Sequence, residues 1–384
     1  MIYTNSRTLL GRLLYLAVFG LIVLGSCLVY FRPNFPTEPL NALQPQAAGA
    51  TWVDSSSHRV EAAIPPIVHF VQLKKDQGSP LHFTFEAFLA LYAAHIHVRP
   101  TAIYIHHDFS EEEVANASAH GSSWTKRVLT SLPTVVRLNR VTAPTRANGR
   151  EIEAVEHRSD FVRLEQLRRL GGGVYLDWDV VTLRPLASLR GAGFRAVVGR
   201  QFDAFVNNGI ILAAADSAVV RILHRESLRV FDGGWITHSV DLLTRVANAL
   251  AAAPGEVLIM DLKAFSPFSW EQESVNQLLA RHPGEAVPAP EAGGRKASGD
   301  ITADALWEDK MAASATGATP KWVYDFSDAV FLHKIFNSVD PPPGYNGVNV
   351  PYVLARDSNY AVATWEIVKK GIEQGLIDAR DETY

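Results

Sequence analysis

Two aspartates stand one residue apart after an apolar triplet, in the stretch GGGVYLDWDV at 171–180. Residues i and i+2 of a strand point the same way, so Asp177 and Asp179 can converge while Trp178 turns elsewhere. Two close carboxylates repel each other unless a cation lies between them or one is protonated. Their oxygens suit Mg²⁺ or Mn²⁺, cations that usually also contact substrate phosphates. The spacing therefore predicts a metal site, and its alternative is a pair of capping or surface aspartates in a turn.

A second group of charged residues precedes this stretch. Ser159 and Asp160 are followed by Arg163, in a run whose apolar residues recur at helical spacing. Ser159 is typical of an N-cap, so the pattern predicts a helix that starts at Asp160 and stops at the glycines 171–173. An aspartate in the first turn favours the helix dipole and can pair with a cation three residues on. That structural role and a ligand-binding role are both open.

Other polar residues adjoin apolar runs. Asn207–Gly209 (NNG) is typical of a hairpin turn. His333 closes the run DAVFLH, where a structural histidine is more common than a ligand. His69, His106 and His107 show no metal-ligand spacing, and we interpret them as structural.

The composition and the motifs exclude several kinds of site. Cys27 is the single cysteine, which excludes a disulfide framework and a cysteine-based metal site. The formal net charge of -4, without a long basic run, argues against nucleic-acid binding. The sequence contains no Gly-x-Ser-x-Gly, Gly-x-x-x-x-Gly-Lys or Gly-x-Gly-x-x-Gly motif, which argues against hydrolase-elbow, NTPase and dinucleotide sites.

Strand and helix patterns alternate from residue 64 onward, which predicts an α/β fold with a mainly parallel central sheet. Ligands of such sheets bind outside the carboxyl ends of the strands, where Asp177 and Asp179 fall. The predicted strands are 67–73, 101–108, 134–141, 174–176, 196–200 and 209–215, and the predicted helices are 83–96, 160–170, 219–231 and 240–252.

The N-terminal region predicts a membrane anchor. Residues 13–31 are 19 residues without a charge, about the length that crosses a bilayer as one helix. Arg7 and Arg12 precede this segment, which favours a cytosolic N-terminus. A cleaved signal peptide and a lipoprotein signal are the alternatives.

The predicted anchor and its orientation determine how the rest of the chain is divided into segments. We expect a cytosolic tail at 1–12, an anchor at 13–31, a flexible stem at 32–63 and a lumenal domain at 64–384, with a mobile insertion at 283–300. These segments together predict a single-pass type II protein in the Golgi or ER membrane. Asn116 begins a glycosylation sequon that agrees with a lumenal domain.

Several blocks of the sequence together resemble glycosyltransferase family 32, which includes initiating mannosyltransferases, inositol-phosphoceramide sugar transferases and α-1,4-galactosyltransferase relatives. The central block is HRSDFVRLEQLRRLGGGVYLDWDVVTLRPL, and the later ones are NNGIILAAA, GGWITHSVDLLTRV and FSPFSW. They cover roughly residues 64–335. The chain departs from the family's pattern by a third glycine, by His238-Ser239-Val240 where relatives often have Gly-Pro, and by a C-terminal segment without a Trp-rich ending.

The resemblance implies a GT-A-like (Rossmann-like) nucleotide-sugar-binding domain, a UDP- or GDP-hexose donor, a Mn²⁺ or Mg²⁺ ion and retention of anomeric configuration. It also implies a glycan or glycolipid acceptor and allows for a glycosyltransferase complex. Asp177 and Asp179 would hold the ion on the donor diphosphate, and His333 would lie near that ion. The other implied donor-binding residues are Asp160, Arg163, Tyr175, Trp178 and Asn208.

Two other functions remain open from the sequence. A catalytically inactive relative would bind glycans or act as a scaffold, although both aspartates of the Asp-x-Asp motif are present. A metal phosphoesterase would typically need more carboxylate or histidine ligands close in sequence.

Overall fold

The structure is a computed structural model that describes residues 64–132, 134–289, 304, 307–308, 311, 320–335 and 339–384. The predicted tail, anchor and stem lie outside these residues, as does most of the predicted insertion. Within the described part of the chain, no helix is both long and apolar enough to cross a membrane.

A seven-stranded sheet forms the centre of the fold. In chain order the strands of the described residues are β1 (Ile67–Gln72), β2 (Ala102–His107), β3 (Val136–Arg140), β4 (Arg146–Ala147), β5 (Arg150–Glu151), β6 (Gly172–Leu176), β7 (Val180–Thr182), β8 (Ala196–Gly199), β9 (Ile210–Ala214), β10 (Val257–Met260) and β11 (Phe331–His333).

The strand order in the central sheet is β10-β8-β9-β6-β1-β2-β3. Four of its six pairings are parallel, and only those of β9 are antiparallel, so the prediction of a mainly parallel α/β sheet is confirmed.

Helices cover both faces of the sheet. The α-helices are α1 (Phe85–Val98), α2 (Glu111–His120), α3 (Ser123–Thr130), α4 (Val155–Arg169), α5 (Ala187–Arg190), α6 (Ala218–Val230), α7 (Leu242–Leu250), α8 (Leu262–Phe265), α9 (Gln272–Leu279), α10 (Val350–Ala355) and α11 (Asn359–Glu373). A π-helical turn, Thr237–Asp241, leads into α7.

Alternate residues of each central strand enter two different apolar cores. Val68 and Phe70 of β1 pack in the core that contains α1, α3 and α11, whereas Val71 packs in the core that contains α4, α6 and α7. Tyr175 of β6 belongs to this second core, and its neighbours in β6 belong to the first. Because both faces are covered, the strands read as continuous apolar runs.

Helix α4 starts earlier than the sequence indicates. It begins at Val155, its N-cap is Ala154 and no side chain caps it, so the prediction of Ser159 as the N-cap is wrong. Buried His157 packs on Phe231, and this tertiary contact lies in the additional N-terminal turn. Asp160 therefore lies within the helix rather than in its first turn.

The three glycines after α4 are required by the backbone. Gly171, Gly172 and Gly173 have φ values of 80°, 85° and 134°, which side chains rarely adopt. A Cβ on Gly172 would lie 2.3 Å from the carbonyl oxygen of Ala213, and one on Gly173 would lie 2.5 Å from that of Ile67. The third glycine thus lets β6 pass close to its neighbours in the sheet.

Two buried histidines join the start of β6 to the neighbouring strands. Nε2 of His69 lies 3.0 Å from the carbonyl oxygen of Gly172, so this nitrogen must carry the proton. Nδ1 of His69 then accepts from Nε2 of His106 at 3.0 Å, and Nδ1 of His106 accepts from the amide of Asn139 at 2.8 Å. This arrangement satisfies both rings in their neutral form and agrees with a structural role.

Acid should weaken the fold through these two rings. Burial lowers the pKa of His69 to about 4 and that of His106 to about 2, against about 6.5 in an unfolded chain. The unfolded state therefore binds more protons below pH 6.5, and each ring costs up to about 1.4 kcal/mol of unfolding free energy per pH unit there. Denaturant unfolding from pH 7 to pH 5 should show this loss.

The control is His82→Gln, which replaces an exposed histidine outside this pair and should retain the loss of stability toward pH 5. NMR of the ring protons provides a direct check, with the rings of His69 and His106 expected not to titrate between pH 5 and pH 7. Titration of His69 and His106 near pH 6.5 would contradict the assignment.

Candidate metal and substrate site

The two aspartates lie at the carboxyl end of β6, on the turn that joins it to β7. The backbone N–H of Val180 donates to the carbonyl oxygen of Asp177 at 3.1 Å and closes this turn. The N–H of Asp177 donates to the carbonyl oxygen of Gly209 at 2.9 Å, which ties the turn to the start of β9. The pair therefore lies on a turn, and not on the strand itself.

His333 joins the aspartates from a distant part of the sequence. Strand β11 pairs antiparallel with β7 and places His333 opposite Val180. Asp177, Asp179 and His333 each offer one ligand atom, and these atoms lie within 4.8 Å of one another. Two carboxylates and an imidazole at this separation suit a divalent cation such as Mn²⁺.

Because Gly209 has no side chain, the side chains of Asp177 and His333 can lie close to its backbone. A Cβ at this position would lie 2.6 Å from Oδ2 of Asp177 and 2.8 Å from Cε1 of His333. Any side chain there would displace one of these candidate ligands. The glycine of the NNG motif is therefore a steric requirement of the site.

Asn207 sets the protonation pattern of His333. Its amide donates to Nδ1 of His333 at 2.8 Å, so a neutral imidazole carries its proton on Nε2. That nitrogen lies 3.2 Å from Oδ1 of Asp179, where it can donate. A cation bound through Nε2 would have to replace this proton.

The three groups shift one another's pKa. Burial and the charge of Asp179 raise the pKa of Asp177, against the opposing effect of Arg163. Burial also raises the pKa of Asp179, but the imidazole of His333 outweighs it and the net pKa is lowered. Burial lowers the pKa of His333, and the two aspartates outweigh this so that the net pKa is raised. The three groups are thus electrostatically coupled at this edge of the sheet.

Arg163 of α4 provides the balancing positive charge. Its Nη2 lies 3.1 Å from Oδ1 of Asp160 and 3.3 Å from Oδ1 of Asp177, and its Nη1 donates to the carbonyl oxygen of Asn208 at 2.8 Å. The side-chain amide of Asn208 donates to Oδ1 of Asp160 at 2.8 Å. Four of the residues predicted from the sequence, Asp160, Arg163, Asp177 and Asn208, therefore form one connected group.

The aromatic candidates lie around this group in different ways. Tyr175 is buried under Arg163, whose guanidinium lies 4.4 Å from the ring centroid, and its hydroxyl donates to Asp177. Trp178 stacks on Phe70 at 4.3 Å and donates from its indole to the carbonyl oxygen of Val71 at 2.9 Å. Tyr175 thus holds Asp177 through its hydroxyl, and Trp178 packs the turn against the core. Their contact with a donor stays a prediction.

His238 was not predicted as a site residue, yet it contacts the group. Its buried Nε2 lies 3.0 Å from Oδ2 of Asp160, although the two atoms are not aligned for a hydrogen bond. Its ring packs against Phe161 and Phe231, with centroid distances of 5.1 and 5.0 Å. The π-helical turn Thr237–Asp241 carries His238, and the sequence indicates this position only as a departure from the family's pattern.

A cavity of about 1030 Å³ opens beside these residues. Its wall includes every predicted site residue except Tyr175. The residues that border it are Val71, Gln72, Leu73, Val155, Glu156, His157, Ser159, Asp160, Arg163, Asp177, Trp178, Asp179, Gln201, Phe205, Asn207, Asn208, Gly209, Trp235, Ile236, Ser239, Val240, Trp270, His333 and Ile335. The carboxylate group therefore has room for a ligand of substantial size.

Comparisons with known proteins give partial similarities. No family model matches the chain. The chain is 26% identical over 261 residues to Glucan organizing enzyme 1 of Cryptococcus neoformans var. grubii, covering 64% of this chain and 62% of that protein's length. One similar solved structure is the PaToxG glycosyltransferase, with a TM-score of 0.33 and 13% identity, covering 52% of this chain and 76% of the other. Another is a glycosyltransferase involved in the glycosylation of the major capsid of PBCV-1, with a TM-score of 0.32 and 12% identity, covering 71% of this chain and 95% of the other. The resemblance to family 32 stays a prediction.

Replacing His238 should test its contact with Asp160. Its Nε2 lies 3.0 Å from Oδ2 of Asp160, but neither ring nitrogen makes a hydrogen bond among the described residues. His238→Phe keeps the packing and removes both nitrogens, so we expect the free energy of unfolding to change by less than about 1 kcal/mol. Denaturant unfolding measures this change, and a loss of about 1–3 kcal/mol would contradict the absence of a hydrogen bond to the carboxylate.

Proposed function

We propose that the chain is a metal-dependent, retaining glycosyltransferase with a GT-A-like fold, which moves a hexose from a UDP- or GDP-sugar to a glycan or glycolipid acceptor. The observation that carries this proposal is the group of Asp177, Asp179 and His333 at the wall of a cavity of about 1030 Å³. A mainly parallel sheet with polar residues at its carboxyl edge supports it.

The donor set fits a divalent cation that also contacts a diphosphate. Side chains of Asp177 and Asp179 are 30% and 41% exposed, so their oxygens are accessible from the cavity. Oδ1 of Asp177 is occupied by Tyr175 and Arg163, while Oδ2 faces the space beside Gly209 and His333. When bound, Mn²⁺ or Mg²⁺ would supply Lewis-acid stabilisation of the leaving diphosphate.

The chain's own residues would orient the donor around that point. Asn208 and Arg163 border the cavity and are held by Asp160, so they present fixed polar groups to a sugar or a phosphate. Such fixed groups stabilise a developing charge without reorganisation, which favours the transition state. Trp178 keeps the metal-binding turn in place through its bond to Val71.

We favour front-face substitution for the transfer. The bond between the anomeric carbon and the phosphate oxygen breaks, a bond to the acceptor oxygen forms, and the acceptor's proton passes to the leaving phosphate. Asp160 is a poor nucleophile because Asn208 and Arg163 contact Oδ1 and His238 contacts Oδ2. A glycosyl adduct on Asp160, detected by mass spectrometry of the quenched reaction, would contradict this route.

The cellular setting is part of the proposal. A single-pass type II protein with a lumenal catalytic domain in the Golgi or ER membrane follows from the charge pattern around residues 13–31. A glycan acceptor is supported by the similarity to a protein named Glucan organizing enzyme 1.

Donor turnover tests the function. The full-length chain should release UDP or GDP from at least one member of a nucleotide-sugar panel with Mn²⁺, and EDTA should abolish the release. Asp177→Asn and Asp179→Asn should each lower turnover at least about a hundredfold, because each removes a charged ligand of the divalent cation. Their thermal midpoints without metal should be no lower than that of the original chain, because each change removes one of the repelling carboxylate charges.

The matched control is Asp340→Asn, an exposed aspartate that does not border the cavity and should leave turnover unchanged. Absence of turnover with every donor would favour the inactive, glycan-binding alternative. If both site variants were unfolded, the two aspartates would have a structural role instead.

A further inference from the structure

Exposed apolar side chains concentrate at the mouth of the cavity. Seven large hydrophobic side chains are exposed in the described part of the chain, and three of these, Trp235, Ile236 and Trp270, border the cavity. The two indoles are 57% and 37% exposed. Apolar surface gathered at one cavity marks a binding site more often than single exposed residues do.

Neighbouring rings hold the two indoles in place. Trp270 meets Phe202 edge to face, with 3.7 Å between the ring centroids. Trp235 lies 5.1 Å from the ring of His157, which is itself packed against His238 at 4.7 Å. Each indole is therefore supported on one side and accessible on another, so its use as a binding surface costs little conformational entropy.

Polar side chains border the same cavity beside the indoles. Gln201, Ser239 and Glu156 offer an amide, a hydroxyl and a carboxylate. A saccharide ring has an apolar C–H face and a rim of hydroxyl groups, so it matches flat aromatic surfaces beside hydrogen-bonding groups.

We propose that Trp235 and Trp270 form a saccharide platform that binds the sugar ring of the acceptor. The proposal rests on the proposed function and commits it to an acceptor recognised through its carbohydrate. The cavity volume of about 1030 Å³ lies at the upper end of the range of small-molecule pockets, which is about 300–1,000 Å³.

A glycan array tests the platform directly. The full-length chain is applied to glucan, mannan and galactan oligosaccharides, and at least one should be bound. Trp235→Ala and Trp270→Ala should each weaken this binding about tenfold, and Trp→Phe at either position should retain part of it because a ring remains. Trp307→Ala is the control, since Trp307 is 66% exposed and does not border the cavity.

Nucleotide binding separates this platform from a nucleobase site. The affinity for UDP and GDP, measured by calorimetry with Mn²⁺, should be unchanged in both alanine variants, and their thermal midpoints should match that of the original chain. Loss of nucleotide affinity instead would overturn the proposal. The proposal would also be overturned if the original chain bound no saccharide more strongly than a variant that carries both Trp235→Ala and Trp270→Ala.

The failure of the proposed function has a different signature. If the chain is not a transferase, it releases no UDP or GDP from any donor, but saccharide binding that depends on Trp235 and Trp270 persists. If only the platform is wrong, donor hydrolysis to water persists in the original chain and in both alanine variants, while saccharide binding does not depend on the two tryptophans.

Discussion

Repulsion among three carboxylates is the constraint on which the rest of the site depends. Asp160, Asp177 and Asp179 meet at one edge of the sheet, and the guanidinium of Arg163 lies between the first two. With neutral histidines, three negative charges and one positive charge leave a formal charge of -2, which a divalent cation would neutralise. Because charges in a partly buried site interact strongly, this imbalance costs stability in the absence of a ligand. A site built only for stability would not retain it.

The backbone around the carboxylates accommodates this arrangement through tight local geometry. Gly172 and Gly173 let β6 approach its neighbours, Gly209 leaves space beside Asp177, and the His69–His106 pair fixes the start of β6. These features are buried, whereas Trp235 and Trp270 at the cavity are exposed. The site therefore combines a fixed charged centre with an accessible aromatic rim.

The sequence predicts the sheet well because its strands are apolar runs bounded by helices, and this local signal needs no tertiary information. It also predicts that the two aspartates follow a strand. It does not predict the start of α4, since the contact of His157 with Phe231 extends the helix beyond the capping signal at Ser159. The contact between His238 and Asp160 and the bond between Asn207 and His333 join residues far apart in the chain, which no local pattern encodes.

The central claim is that Asp177, Asp179 and His333 bind a divalent cation together with a nucleoside diphosphate. Anomalous diffraction from crystals grown with Mn²⁺ and UDP or GDP tests it most directly. The claim predicts one manganese peak within about 2.0–2.3 Å of an oxygen of each aspartate and of Nε2 of His333, bridged to the diphosphate. A diphosphate bound without manganese at these residues, or manganese bound elsewhere in the cavity, would contradict it.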